Sequence, residues 1–318
     1  MKDSFFSDDL DDHDWNEMSA KATQGMRHSI RPRRVRSAKE PARSPFLEDE
    51  MEQIAPQQSG APAQSSSDVI NVPTTQPHAA PAVLTGWQDL PEADAGARRA
   101  KNKGIPVVDH ARDTTSHRAF DLLRTRLRQT TLENKWTNIA VTAPTTGCGT
   151  TFTAVNLALS LSRVADSRTV LMDFNLRNPG VMDAFDMPAP GLMQHYLSGE
   201  VAMEDHLLRI SDTLALGLNA APDENAAETL QDTNTGATLQ KMQDALAPEL
   251  VIYDLPPMLV NDDVSAFLPQ LDGVLLVSDG TQTTADQLLE CERMLEGQVP
   301  LLGVVLNRAR ASSIPRYT

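Results

Sequence analysis

Between residues 138 and 307 the chain alternates short, continuous apolar runs with stretches whose apolar residues recur every three or four positions. The runs predict strands at Ile139–Thr142, Thr169–Asp173, Leu214–Leu218, Leu250–Asp254, Gly273–Val277 and Leu301–Asn307. Unbroken apolar runs of this kind suit strands covered on both faces, as in a parallel sheet. Helical periodicity fills the gaps at Thr151–Ser162, Gly191–Leu197, Gly236–Leu246, Asp263–Leu268 and Thr284–Leu295. One further helix is predicted at Ser116–Thr130, where Phe120, Leu123 and Leu127 form an apolar stripe that Leu122 widens. Alternation of β and α implies a doubly wound, mostly parallel α/β sheet, whose ligands bind beyond the carboxyl ends of the strands.

The pattern disappears toward the N-terminus. Residues 1–85 run from an acidic opening through a basic cluster (Arg31, Arg33, Arg34, Arg36, Lys39) into a Pro/Gln/Ser/Ala tract. Such a composition buries too little apolar surface to offset its ordering entropy, so a disordered tail is expected. The basic cluster reads as a solvated segment or as a contact for anionic lipid or an acidic partner. A polar linker is expected over 86–111, the folded domain over 112–310 and a short tail over 311–318.

Composition narrows the function classes. The formal charge of −15 argues against a general nucleic-acid binder. Two cysteines, Cys148 and Cys291, give no disulfide framework and suit a reducing, cytoplasmic setting. The opening MKDSFFSDDLDDHDW has no apolar core of a secretory signal. No apolar run approaches the roughly 18–20 residues that span a bilayer. Membrane association is therefore expected to be peripheral, through a partner or a surface patch.

Three predicted strand ends carry the candidate chemistry. The first opens into Pro144–Thr151, where Gly147 and Gly149 allow close backbone approach and the next helix offers its N-terminal amides to an anion. This is the layout of a phosphate-binding loop, in which a Lys reaches the terminal phosphates and the following Ser/Thr holds Mg²⁺. Here the Mg²⁺ hydroxyl position is Thr151, and Thr150 stands where the Lys belongs. Cys148 lies inside the loop, read as a small residue or as a redox-sensitive lid, and Thr153 follows on the helix. The second strand ends at Asp173, followed by Asn175 and Arg177, and the third at Asp254, followed by Pro256 and Pro257. A single such Asp could merely cap a turn. Two at matching strand ends beside a phosphate loop point to metal-holding carboxylates.

The chain resembles the cytoplasmic P-loop domain of the bacterial tyrosine kinases of capsule and exopolysaccharide synthesis, relatives of the Mrp and Min-type ATPases. The resemblance spans roughly Arg112–Arg308 and rests on an ordered series of segments. These are AFDLLRTRL, the loop with TAVNLALSLS, VLMDFNLRNPG, GLMQHYLSGE, NAAETL, LVIYDLPP, LDGVLLVSDGTQTT and LLGVVLN. It implies a P-loop NTPase fold of the Mrp/Min-like branch and ATP with Mg²⁺ as cofactors. It further implies nucleotide contacts at Gly147, Cys148, Gly149, Thr150, Thr151 and Thr153, metal ligation by Thr151, Asp173 and Asp254, and a membrane-embedded chain-length (Wzz-type) protein as partner. A location at the inner face of the plasma membrane follows from that partner.

The departures from the family pattern are equally specific. Its loop Lys aligns with Thr150, and a second Asp of its extra Walker-type motif aligns with Asn175. Its tyrosine-rich tail is reduced to Tyr317, one of three Tyr in the chain. Its subunit-contact helix, Glu-x2-Arg-x2-Arg, becomes Arg118, Asp121 and Arg124, which leaves homo-oligomerisation through those residues open. Two readings follow. One is a degenerate kinase-like protein with weakened or lost ATP binding and phosphotransfer, regulating polysaccharide synthesis or export. The other is an active kinase or ATPase using Thr151, Asp173 and Asp254 around Mg²⁺, with Arg177 as replacement cation. Arg177 could equally pair with a nearby carboxylate. A partition-type ATPase shares the fold, but NAAETL, LLGVVLN and the arginine-bearing helix favour the polysaccharide branch.

Overall fold

The computed structural model of the protein describes residues 86–93 and 115–309. The expected tail over 1–85, its basic cluster and Tyr317 lie outside the described residues. The expected sheet is present, with seven strands: β1 (Asn138–Thr142), β2 (Thr169–Asp173), β3 (Leu207–Ser211), β4 (Leu214–Gly217), β5 (Leu250–Asp254), β6 (Gly273–Asp279) and β7 (Leu301–Asn307). Their order is β3-β4-β2-β5-β1-β6-β7, and all pairings are parallel except β3 with β4. β3 escapes the apolar pattern because it is an edge strand, LLRIS, in which Leu207 alone is fully buried.

Alternating side chains of each central strand enter opposite faces of the sheet. Ala140, Met172, Tyr253 and Leu276 join one core, and Val141, Leu171, Ile252 and Val277 the other. Every residue of β2 and β5 is buried, which explains their unbroken apolar runs. Helices α1 (Thr115–Asn134) and α2 (Thr150–Leu161) cover the Val141 face, with Phe120 edge-on to Phe152 at 5.9 Å. On the other face lie α4 (Met193–Leu197), α6 (Ala226–Gln231), α7 (Thr233–Leu246), α8 (Asp263–Phe267) and α9 (Ala285–Leu295). Two more short helices, α3 (Val181–Phe185) and α5 (Met203–His206), complete the chain order. The four- to six-residue helices α3, α5 and α6 are too short to show a helical period in sequence. Just below the β2 and β5 ends, Phe174, Tyr253 and Phe267 pack with ring centroids 4.9–5.0 Å apart and stiffen the base of the candidate site.

Residues 86–93, expected to open a linker, pack on the domain instead. Trp87 and Leu90 are buried in the core, and Arg209 exchanges backbone hydrogen bonds with Pro91 and Ala93, each 2.8 Å. The segment thereby covers the outer edge of β3.

His206 titrates out of range because it is buried. Its ring stacks on Tyr196 with centroids 4.8 Å apart, and desolvation pushes its pKa down to about 4, opposed only by the Leu218 backbone. The folded state therefore binds fewer protons than the unfolded state below the ordinary His range. The His206 contribution is fully present above about pH 6.5 and is lost as pH falls toward about 4. Urea unfolding across that window should lose on the order of 2–3 kcal/mol from this group. In His206→Phe, which keeps a stacked ring, the acid-dependent slope should flatten.

Candidate phosphate-binding site

The carboxyl ends of β1, β2, β5, β6 and β7 converge on the loop between β1 and α2. Gly147 and Gly149 both adopt left-handed backbone, with φ of 78° and 91°. A Cβ on Gly149 would also stand 2.3 Å from Asn307 Nδ2, so glycine is required there twice over. Thr150 opens α2 directly after the Gly149 cap, and the helix's first amides have no intrahelical partner. Left-handed residues alternating with ordinary ones, feeding a helix N-terminus, form an anion-binding concavity.

The side chains in and after this loop divide by role. Thr153 is buried, and its hydroxyl donates to the Gly149 carbonyl at 2.9 Å, so it braces the loop from within the helix. The Cys148 thiol is also buried, 3.7 Å from Thr145 Oγ1 and 3.6 Å from Thr283 Oγ1. Thr151 remains partly exposed and borders Gly180, where an added Cβ would lie 3.4 Å from the Thr151 hydroxyl.

Asp173 and Asp254 stand side by side at the ends of β2 and β5, in register and fully buried. Asp173 Oδ2 accepts from the amides of Gly180 (3.0 Å) and Val181 (2.9 Å), while its Oδ1 has no well-formed hydrogen bond, although the Asn175 amide also stands close enough to favour the charged carboxylate. Burial pushes its pKa up to about 7 against those amide bonds. Neither carboxylate oxygen of Asp254 has a well-formed hydrogen bond, although the Thr151 hydroxyl stands close enough to oppose the rise in its pKa. Desolvation first, and then the Asp173 charge, hold Asp254 well above the usual carboxylate range.

Three unpartnered carboxylate oxygens in a buried pair constitute a demand for positive charge. A divalent cation fits them: Asp173, Asp254 and Thr151 supply hard oxygen ligands, and phosphate oxygens at the loop would supply more. Among the described residues no cluster of three or more acidic, His or Cys side chains gathers to hold a metal.

Arg177 is engaged elsewhere. Its Nε lies 2.9 Å from Asp263 Oδ2 and its Nη2 donates to Asp263 Oδ1 at 2.9 Å, while Nη1 donates to the Glu224 carbonyl at 2.7 Å. Of the two roles that the sequence allows, Arg177 takes the carboxylate pairing. Residues not foreseen from sequence touch the loop instead. Gln282 Nε2 donates to the Thr146 carbonyl (3.1 Å), Arg308 Nη1 to Gly147 (2.9 Å) and Asn307 Nδ2 to Cys148 (2.9 Å). Their signal is positional: Asn307 ends the last parallel strand, and Gln282 follows the end of β6.

On α1, Arg118 is exposed, whereas Asp121 and Arg124 are tied within the chain. Arg124 donates to Asp121 (3.1 Å) and to the Ser160 carbonyl (3.2 Å), and Ser160 Oγ and Arg163 also bond Asp121. This arrangement diverts two of the three candidate subunit-contact residues into the α1–α2 interface. Among the described residues, no helix is long and apolar enough to cross a membrane.

No family model matches the chain. It is 27% identical over 199 residues to the tyrosine-protein kinase CpsD of Streptococcus agalactiae, covering 61% of this chain and 83% of that protein. With the Escherichia coli K12 tyrosine-protein kinase Etk it shares 26% identity over 230 residues, 69% of this chain but 31% of that longer protein. The fold matches the kinase domain of E. coli Etk with a TM-score of 0.59 at 23% identity, covering 72% of this chain and 92% of that domain.

Proposed function

Because the chain belongs to the bacterial tyrosine kinase family, we propose that it is a degenerate member. Its P-loop frame serves binding and regulation in exopolysaccharide or capsule synthesis or export, with weakened nucleotide affinity and without phosphotransfer. The observation that carries this reading is Thr150 at the first position of α2, with Arg177 committed to Asp263. A Lys contacting phosphates supplies charge-assisted hydrogen bonds of about 1.5–3 kcal/mol. Its loss weakens binding by roughly one to two decades. Phosphoryl transfer depends almost wholly on positioning and charge stabilisation, so the rate suffers further.

The reading places the protein in the cytoplasm at the inner face of the membrane, held by a membrane-embedded chain-length protein. If ATP and Mg²⁺ bind, the loop amides from Gly147 to Thr151 would receive phosphate oxygens, and Thr151, Asp173 and Asp254 would hold the cation, which would supply charge neutralisation. Self-association through α1 rests on Arg118, since Asp121 and Arg124 serve α2.

The unpartnered oxygens of Asp173 and Asp254 favour a second reading, an active kinase or ATPase that keeps its metal site. Titration with a fluorescent ATP analogue in Mg²⁺ separates the two. Thr150→Lys should tighten binding about 10–100-fold. Equal affinity in parent and variant would show that Thr150 is no deficit, which supports the active reading.

A further inference from the structure

Three successive loop carbonyls, those of Thr146, Gly147 and Cys148, each accept a side-chain donor from the β6–β7 end of the sheet. We propose that Gln282, Asn307 and Arg308 are positioning residues. By drawing these carbonyls to one side they fix the loop as a receptacle for a polyphosphate anion before any ligand arrives. The inference rests on the nucleotide-site reading above and adds to it how affinity survives without the loop Lys.

The three donors are themselves held. Arg308 has left-handed backbone, with φ of 52°, and its amide donates to Asn307 Oδ1 at 2.9 Å. Its guanidinium bridges the Gly147 carbonyl and Asp279 Oδ2. Asp279 is in turn oriented by the Thr281 amide (2.7 Å) and hydroxyl (2.6 Å). Those Thr281 bonds, then Arg308, hold the Asp279 carboxyl below its usual range, so the bridge is ionic at neutral pH. A Cβ added at Gly149 would stand 2.3 Å from Asn307 Nδ2, so any larger residue there would have to displace the Asn307 amide.

A peptide unit whose carbonyl is turned outward presents its amide on the opposite side. With three carbonyls tied toward β6 and β7, the following amides of Gly147, Cys148 and Gly149 face away from that edge, beside the free first-turn amides of α2. An ordered receptacle spares the ligand the entropy of arranging it. A second, independent feature points to the same ligand. The buried Asp254 carboxylate has no well-formed hydrogen bond at either oxygen and lies close to the Thr151 hydroxyl, in the first turn of α2, an arrangement that suits an anion arriving with a divalent cation.

The test combines backbone ¹⁵N relaxation of the ligand-free full chain with titration of a non-hydrolysable fluorescent ATP analogue in Mg²⁺. Gly147 and Gly149 should show order parameters near the rigid value of about 0.85 without ligand, falling below about 0.6 in Arg308→Ala. Analogue affinity should drop at least tenfold in Arg308→Ala and recover substantially in Arg308→Lys, both read at a temperature where circular dichroism shows the variants fully folded, since Arg308→Ala also leaves the buried Asp279 without its partner. Where parent binding is too weak to titrate, the same ratio is read in the Thr150→Lys background. Mobile loop glycines in the ligand-free parent, an unchanged affinity in Arg308→Ala, or no binding in either background overturns the proposal. Phosphate transfer by the parent would defeat the degenerate-kinase reading while leaving the Arg308 ratio to decide this one.

Discussion

Replacing Trp87 by alanine is expected to lower the unfolding free energy by about 3–5 kcal/mol, the usual range for a buried Trp truncated to Ala. The side chain is 1% exposed and packs in the same core as Leu90, Tyr196 and Leu207. Its indole Nε1 donates to the Ser211 carbonyl at 3.2 Å, and the Arg168 guanidinium lies 5.4 Å from the ring centroid. Truncation leaves a cavity and loosens the segment that pairs with Arg209 at the β3 edge. Urea unfolding of Trp87→Ala and Trp87→Phe measures this. The Phe variant should retain most of the stability, because it keeps most of the buried area while losing the hydrogen bond.

Arg177→Ala is expected to be the next most damaging change, at about 3 kcal/mol, the low end for breaking a buried pair because the guanidinium is one-third exposed. Asp263 is almost completely buried, and without Arg177 it would keep a charge with no counter-ion. The pair also joins the segment after Asp173 to the start of α8, beyond Asp254, so both carboxylate-bearing loops share one tie. An Arg177→Met/Asp263→Leu double variant should be less destabilised than Arg177→Ala, since no unpaired charge remains. Equal or greater damage in the double variant would mean that packing, and not the stranded carboxylate, dominates.

The central strands were legible because burial on both faces writes an unbroken apolar run into each of them. The same fact made Asp173 and Asp254 conspicuous, as polar residues that close such runs. β3 was not legible, since an edge strand beside α5 needs few apolar residues, and its partner segment at Trp87 sits in polar surroundings, WQDLPE. Arg177 illustrates a different limit. Its spacing from Asp173 permits either a phosphate or a carboxylate partner, and the choice depends on Asp263, which lies far along the chain. Gln282, Asn307 and Arg308 were hidden for the same reason, because their targets are backbone carbonyls of a loop more than a hundred residues earlier. Residue identity marks candidate chemistry here, whereas partner choice is a property of the sheet edge.

The proposed loss of phosphotransfer at a P-loop-like frame is the central claim. Its most direct test is transfer of radiolabelled γ-phosphate from Mg²⁺-ATP to protein tyrosine, with the parent chain and Thr150→Lys assayed side by side. No tyrosine labelling above background is expected in the parent, under conditions where Thr150→Lys binds nucleotide more tightly. Steady labelling of tyrosine by the parent, abolished by Asp254→Ala, would contradict it.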